Sequence, residues 1–97
     1  MKHFKIYQLD ADNKDARNMM FMDYEFVTEY FALSLDLYKL VYEGDTEGDL
    51  DDLYQEFNVN HPEDFKGHSL STSDLVELDG KYFYCDSYGW EEVTFQP

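Results

Sequence analysis

The chain has 97 residues, of which 22 are acidic and 7 are Lys or Arg, so its net charge is −15. This length suits one domain, and an aromatic content of 19% is too high for a disordered chain. The charge argues against direct binding to nucleic acid or to an anionic membrane, because both require a basic surface. One cysteine, Cys85, permits neither an intrachain disulfide nor a zinc site built on several cysteines.

No targeting or membrane-spanning segment is evident along the chain. The N-terminal residues lack the apolar core of a signal peptide. No stretch approaches the roughly 18–20 apolar residues that a transmembrane helix needs. We therefore expect a soluble protein in a reducing cytoplasm.

The N-terminal half predicts a strand, a helix and a second strand. Residues 4–9 alternate like a strand, with Phe4 and Ile6 on one face, and polar residues 10–18 follow as a loop. Apolar spacing in residues 21–31 predicts a helix that begins near Asp23. Residues 37–43 predict the second strand, whose alternation places Tyr38, Leu40 and Tyr42 on one face.

The C-terminal half has stronger local signals. After a loop at 44–48, Asp49 is a typical N-cap for a helix over 50–58. Its apolar stripe contains Leu50, Leu53, Tyr54 and Phe57, with acidic residues opposite.

A β-hairpin is expected after a second loop over 60–73. Strands 75–78 and 81–85 flank Asp79-Gly80, a pair favoured in type I′ turns, and a short strand follows at 90–95. The fold class is thus α+β: a single domain over residues 1–97 with a mostly antiparallel sheet of four to five strands and two helices.

The run from His61 to Val93 resembles the YodL-like domain family of Gram-positive bacteria and their mobile elements. The resemblance rests on His61-Pro62-x-Asp64-Phe65, on residues 67–74 (GHSLSTSD) and on residues 86–90 (DSYGW). Weaker similarity upstream extends it to nearly the whole chain, except Met19 to Leu35. The resemblance implies a mobile-element setting and carries over no settled activity; such domains also occur inside larger proteins.

The negative charge is concentrated in the middle of the chain. Between Lys39 and Lys66 there are nine acidic residues and no basic one. A domain of this length should be roughly 32 Å across, a span over which DNA carries about 19 phosphates. A surface of this charge could imitate a DNA backbone, whereas the simpler interpretation is a solvated, solubilising face.

The GHSLSTSD segment is better explained by structure than by catalysis. His68 and Ser69 are adjacent, so in an extended segment their side chains point to opposite faces, and no nucleophile elbow is present. We expect a buried, hydrogen-bonded His68 and loop-stabilising Ser and Asp side chains. His61, Asp64 and His68 match no strong zinc signature, so no metal or other cofactor is expected.

The C-terminal aromatics are candidates for core packing or for a binding surface. Tyr82 and Tyr84 share one strand face, opposite Phe83 and Cys85. Where exposed beside carboxylates, such rings would anchor a protein contact. The expected partner-binding residues are Glu43, Asp45, Glu47, Asp49, Asp51, Asp52, Glu56, Tyr82, Tyr84 and Tyr88.

Together, these features lead us to expect a non-enzymatic, acidic counter-defence protein. Its partner would be a basic nucleic-acid-binding protein, such as a CRISPR effector or a restriction enzyme, with no direct binding to nucleic acid or membrane. The alternative is a protein-interaction or scaffold domain of a conjugative element, whose binding would not depend on salt.

Overall fold

A computed structural model describes residues 1–59, 61–65, 67–87 and 89–95. Within these residues the chain forms one five-stranded antiparallel sheet, three α-helices and a 3₁₀ turn at Leu35–Leu37. The strands are β1 (Lys2–Leu9), β2 (Tyr38–Thr46), β3 (Leu75–Leu78), β4 (Lys81–Asp86) and β5 (Gly89–Val93). The helices are α1 (Lys14–Met19), α2 (Tyr24–Tyr30) and α3 (Leu50–Val59).

The sheet has the strand order β2-β1-β3-β4-β5, with β3 at its centre and β2 and β5 at its edges. The β3–β4 hairpin turns at Asp79 and Gly80, whose positive φ angles of 53° and 85° match a type I′ turn. The α+β prediction and the hairpin are therefore confirmed. None of the helices formed by these residues is long and apolar enough to cross a membrane.

Each face of the sheet carries its own core. On one face, α3 packs Leu53 and Phe57 against Phe4, Ile6 and other side chains of the sheet. The other face is covered by α1, α2 and the 3₁₀ turn, which pack around Leu9, Leu75 and Tyr84. The buried side chains of these short elements are Ala16, Met19 and Val27. We call these the α3 side and the α2 side.

Two segments predicted as loops contain regular secondary structure. The segment predicted as a loop over 10–18 contains α1, because the Asn13 side chain accepts hydrogen bonds from the backbone of Asp15 and Ala16 and caps a helix. The predicted two helices are therefore three. Residues 44–46, also predicted as loop, continue β2, since each is paired with a residue of β1.

A β-bulge in β2 overturns the predicted alternation of that strand. Ile6 pairs with Tyr42 and Tyr7 with Leu40, so Val41 is an extra residue. Tyr42 therefore packs on the α3 side against Phe57, whereas Tyr38 packs on the α2 side.

Candidate functional site

The acidic residues of the central segment are divided between the two sides of the sheet. In β2, Glu43 pairs with Lys5 and Asp45 with His3, so both carboxylates project from the α2 side. Gly44, between them, pairs with Phe4, whose ring packs on the α3 side. The acidic residues of α3 therefore lie on the opposite side from Glu43 and Asp45.

Glu43 and Asp45 are engaged by a histidine of the neighbouring strand. His3 Nε2 lies 2.5 Å from Glu43 Oε2, and His3 Nδ1 lies 3.0 Å from Asp45 Oδ1. Hydrogen bonds to Asp45 and Glu43 raise the pKa of His3 above its usual 6.5. When His3 is protonated, it offsets part of the charge of these two carboxylates, which are less available to a partner than those of α3.

The exposed face of α3 carries the more accessible carboxylates. This α3 acidic face consists of Asp49, Asp51, Asp52 and Glu56, all exposed, and Glu47 is exposed just before it. Asp49 Oδ1 accepts from the Asp52 backbone N, and Asp52 Oδ2 accepts from the Asp49 backbone N, a reciprocal cap. The hydrogen bond from Asp52 lowers the pKa of Asp49. The cap therefore keeps Asp49 ionised at the helix N-terminus.

A cavity of about 260 Å³ lies beside the α3 acidic face, with Asp51, Tyr54, Asp86 and Trp90 among its lining residues. Trp90 Nε1 donates to Asp51 Oδ1 at 3.3 Å, and the Tyr54 ring meets Trp90 edge to face. Aromatic faces beside carboxylates suit a cationic side chain such as Lys or Arg. Tyr54, Asp86 and Trp90 were not among the predicted site residues. The sequence signals for Asp86 and Trp90 were their place in the DSYGW motif and a lone Trp close to acidic residues.

Two of the three predicted tyrosines, Tyr82 and Tyr84, lie within the described residues and do not form an exposed surface. Tyr84 is fully buried, and its hydroxyl donates to the Met22 carbonyl at 2.7 Å, so its assignment to a contact surface is wrong. Tyr82 is half-buried and packs against Tyr7 and Phe95. Tyr88 lies outside the described residues.

The GHSLSTSD segment is tied to β1 through a buried glutamine. Gln8 Nε2 donates to the His68 carbonyl at 2.8 Å and to Asp74 Oδ2 at 3.1 Å. Gln8 Oε1 accepts from the His68 backbone N at 3.2 Å. Asp74 Oδ2 also accepts from the Ser71 backbone N, which confirms that an Asp side chain bonds the backbone of this loop.

Asp74 is an unusual carboxylate because it is almost completely inaccessible to solvent. Burial raises the pKa of Asp74 to about 7, although hydrogen bonds from Ser71 and Gln8 favour its ionised form. The imidazole Nε2 of His68 lies 3.8 Å from Asp74 Oδ1. The His68 side chain is about half exposed, so its predicted burial is wrong although its hydrogen bonds are present.

Catalytic and metal-binding arrangements are not evident in the part of the chain that the structure describes. No group of three or more His, Cys, Asp or Glu side chains could hold a metal ion among these residues. His68 Nδ1 contacts the Ser69 carbonyl oxygen at 2.7 Å, which is a local backbone contact and not a nucleophile–base pair. Burial raises the pKa of the Cys85 thiol to about 12, so this thiol is a poor nucleophile.

Comparison with known proteins places the whole described fold in one family. No curated protein and no solved structure matches the chain. The family model for the YodL-like domain matches residues 3–95, which include every strand and helix described above except the first residue of β1. The chain therefore belongs to the YodL-like domain family.

Proposed function

We propose that this domain is a non-catalytic, cytoplasmic inhibitor from a mobile genetic element that binds a basic protein through the α3 acidic face. Its target would be a defence nuclease, such as a CRISPR effector or a restriction enzyme. The main observation in support of the proposal is that α3 has one buried apolar face and one exposed acidic face. Leu53 and Phe57 are fully buried, whereas the carboxylates opposite them are exposed. A partner can therefore reach these carboxylates without disturbing the core.

The size and charge of the molecule suit electrostatic competition with DNA. The longest dimension of the domain is 35 Å, a length over which duplex DNA carries about 20 phosphate charges. The net charge of −15 is of the same order. Lys and Arg side chains that normally contact phosphates would instead meet the α3 acidic face.

The cavity beside α3 would add specificity to this charge attraction. A guanidinium or ammonium group placed there could lie against the Trp90 and Tyr54 rings and close to the Asp51 carboxylate. Aromatic residues of this kind dominate the energetics of protein interfaces. Charge would therefore steer the encounter, and the cavity would hold one basic side chain of the partner.

A displacement assay tests the proposal directly. A guide-loaded CRISPR effector and a restriction endonuclease are each bound to fluorescently labelled target DNA, and the domain is then titrated at several salt concentrations. We expect displacement of DNA that weakens steeply as salt rises. Asp51→Lys combined with Glu56→Lys should weaken displacement at least about tenfold. These positions leave the reciprocal cap of Asp49 and Asp52 in place.

A matched control separates the effect of the charge on α3 from the effect of the net charge of the domain. Asp12→Lys combined with Asp36→Lys changes the net charge equally at exposed positions outside α3, in the loop before α1 and in the 3₁₀ turn. This variant should displace DNA within about twofold of the parent. Unchanged DNA binding by both nucleases, or equal loss in both variants, would contradict the proposal.

The alternative function is a protein-interaction scaffold of a conjugative element. Large apolar side chains that remain exposed outside the α3 acidic face, such as Phe21 and Tyr30, favour it. Its binding would depend little on salt, so the same salt titration distinguishes the two functions.

A further inference from the structure

Four large apolar side chains are exposed within one short segment on the α2 side. This α2 patch consists of Phe21, Met22, Phe26 and Tyr30, and Phe21 and Tyr30 are each more than 60% exposed. The Phe26 and Tyr30 rings lie one helical turn apart with their centroids 4.9 Å from each other. The seven residues of α2 span only about 10 Å, and Phe21 and Met22 precede the Asp23 cap of this helix directly.

The backbone at Phe21 is held in a strained conformation. Phe21 has a φ of +66°, in the left-handed region that a bulky side chain rarely adopts. Its backbone N donates to Ser73 Oγ at 3.0 Å, and the next carbonyl, of Met22, accepts from the buried Tyr84 hydroxyl. The fold thus fixes a strained residue whose ring faces solvent, an arrangement often found where proteins bind ligands.

Acidic residues accompany the α2 patch. Asp23, Glu25 and Glu29 are all exposed. The sequence has no Lys, Arg or His between Arg17 and Lys39. None of these three carboxylates forms a salt bridge with another described residue. The surface therefore combines aromatic rings with uncompensated negative charge.

We propose that the α2 patch is a docking site for a basic amphipathic helix of a partner protein. The apolar stripe of such a helix would cover Phe26 and Tyr30, and its flanking Lys or Arg side chains would pair with Glu25 and Glu29. A second copy of this chain fits poorly, because the same carboxylates would then face one another. A phospholipid surface fits poorly because it offers phosphate groups to an already acidic protein. The site does not involve α3, so it stands independently of the proposed nuclease inhibition.

A designed peptide tests this chemistry without knowledge of the natural partner. The probe is a fluorescent helix of about five turns with Leu along one stripe and Lys elsewhere. Two further probes separate its features: one replaces each Leu by Ser, and one replaces each Lys by Glu. We expect the full-length domain to bind the Leu–Lys probe at least about tenfold more tightly than either of the other two.

Paired variants locate the binding. Phe26→Ser combined with Tyr30→Ser should weaken the Leu–Lys probe at least about tenfold. Leu40→Ser combined with Val59→Ser removes two exposed apolar side chains elsewhere and should change binding less than about twofold. Glu25→Gln combined with Glu29→Gln keeps the rings and should weaken binding several-fold. Asp51→Lys combined with Glu56→Lys should change binding of the Leu–Lys probe no more than the Leu40/Val59 control pair does. The test of the α2 patch is therefore separate from the test of α3.

Circular dichroism checks that each variant is folded. If the Phe26/Tyr30 variant unfolds, the Glu25/Glu29 variant still tests the proposal. Equal binding by the parent and the Phe26/Tyr30 pair would overturn the proposal. So would concentration-dependent self-association through the patch in sedimentation, or binding to phosphatidylcholine vesicles that exceeds binding to the Leu–Lys probe.

Discussion

The two sides of the sheet use helices in different ways. On the α3 side, one regular helix of ten residues buries Leu53 and Phe57 and exposes carboxylates. On the α2 side, two helices of six and seven residues bury few side chains, and α2 itself buries only Val27. The first arrangement gives a stable core with a polar exterior. The second arrangement leaves aromatic rings of α2 exposed to possible partners, and we expect it to contribute less to the stability of the fold.

Truncation of one phenylalanine on each side gives the largest expected contrast. Phe57→Ala should lower the free energy of unfolding by about 3–5 kcal/mol, because the ring packs against Phe4, Tyr42 and Phe65. Phe26→Ala removes an exposed ring and should cost less than about 1 kcal/mol. Urea denaturation of the two variants checks this. Equal losses would show that α2 contributes to the core as much as α3 does.

The loop over residues 67–74 connects the two sides and contains a carboxyl group with a strongly raised pKa. Asp74 is hydrogen-bonded to Gln8, whereas the neighbouring Ser73 side chain accepts from Phe21 on the α2 side. Because burial raises the folded pKa of Asp74 to about 7, the folded protein binds a proton that the unfolded chain releases near pH 4. The contribution of Asp74 to stability is thus full at low pH and falls as pH rises from about 4 to about 7.

Asp74→Asn isolates this effect from the other titrating carboxylates. The amide oxygen can still accept from Ser71 and Gln8, and no proton is lost as the pH rises. The stability of the variant relative to the parent should therefore increase between pH 4 and pH 8, by on the order of 4 kcal/mol. Thermal melts of both proteins across this range measure the difference. A difference that stays constant with pH would show that Asp74 does not titrate there.

Features set by neighbouring residues were predictable from the sequence. Asp79-Gly80 determines its own turn, and Asp49 with the Leu53 and Phe57 spacing determines α3, because each signal acts over a few residues. Helix α1 was missed because its burial rests on just Ala16 and Met19, which pack against distant strands. Its Asn13 cap was a usable signal.

The arrangement of the candidate site depended on contacts between distant residues. The division of the acidic segment follows from the register of β2 against β1, including a bulge at Val41 that no local pattern marks. Strand alternation places Tyr84 on the same face as Tyr82. The packing of the α2 segment over this face buries Tyr84, whose hydroxyl donates to the Met22 carbonyl. Exposure at Phe26 and Tyr30 was also unpredictable, since helical spacing of apolar residues is the usual sign of a buried face.

The helix caps provide the finest test of the contrast between the two sides. Asp49→Ala removes both the side-chain acceptor for the Asp52 N–H and the charge at the start of α3, and it should lower the melting temperature by roughly 5 °C. Asp23→Ala removes the bond to Phe26 N at the start of α2, a helix with one buried side chain. We expect it to shift the melting temperature by less than half as much and to speed amide exchange mainly in residues 24–30. A larger loss in Asp23→Ala would place the α2 segment within the cooperative core.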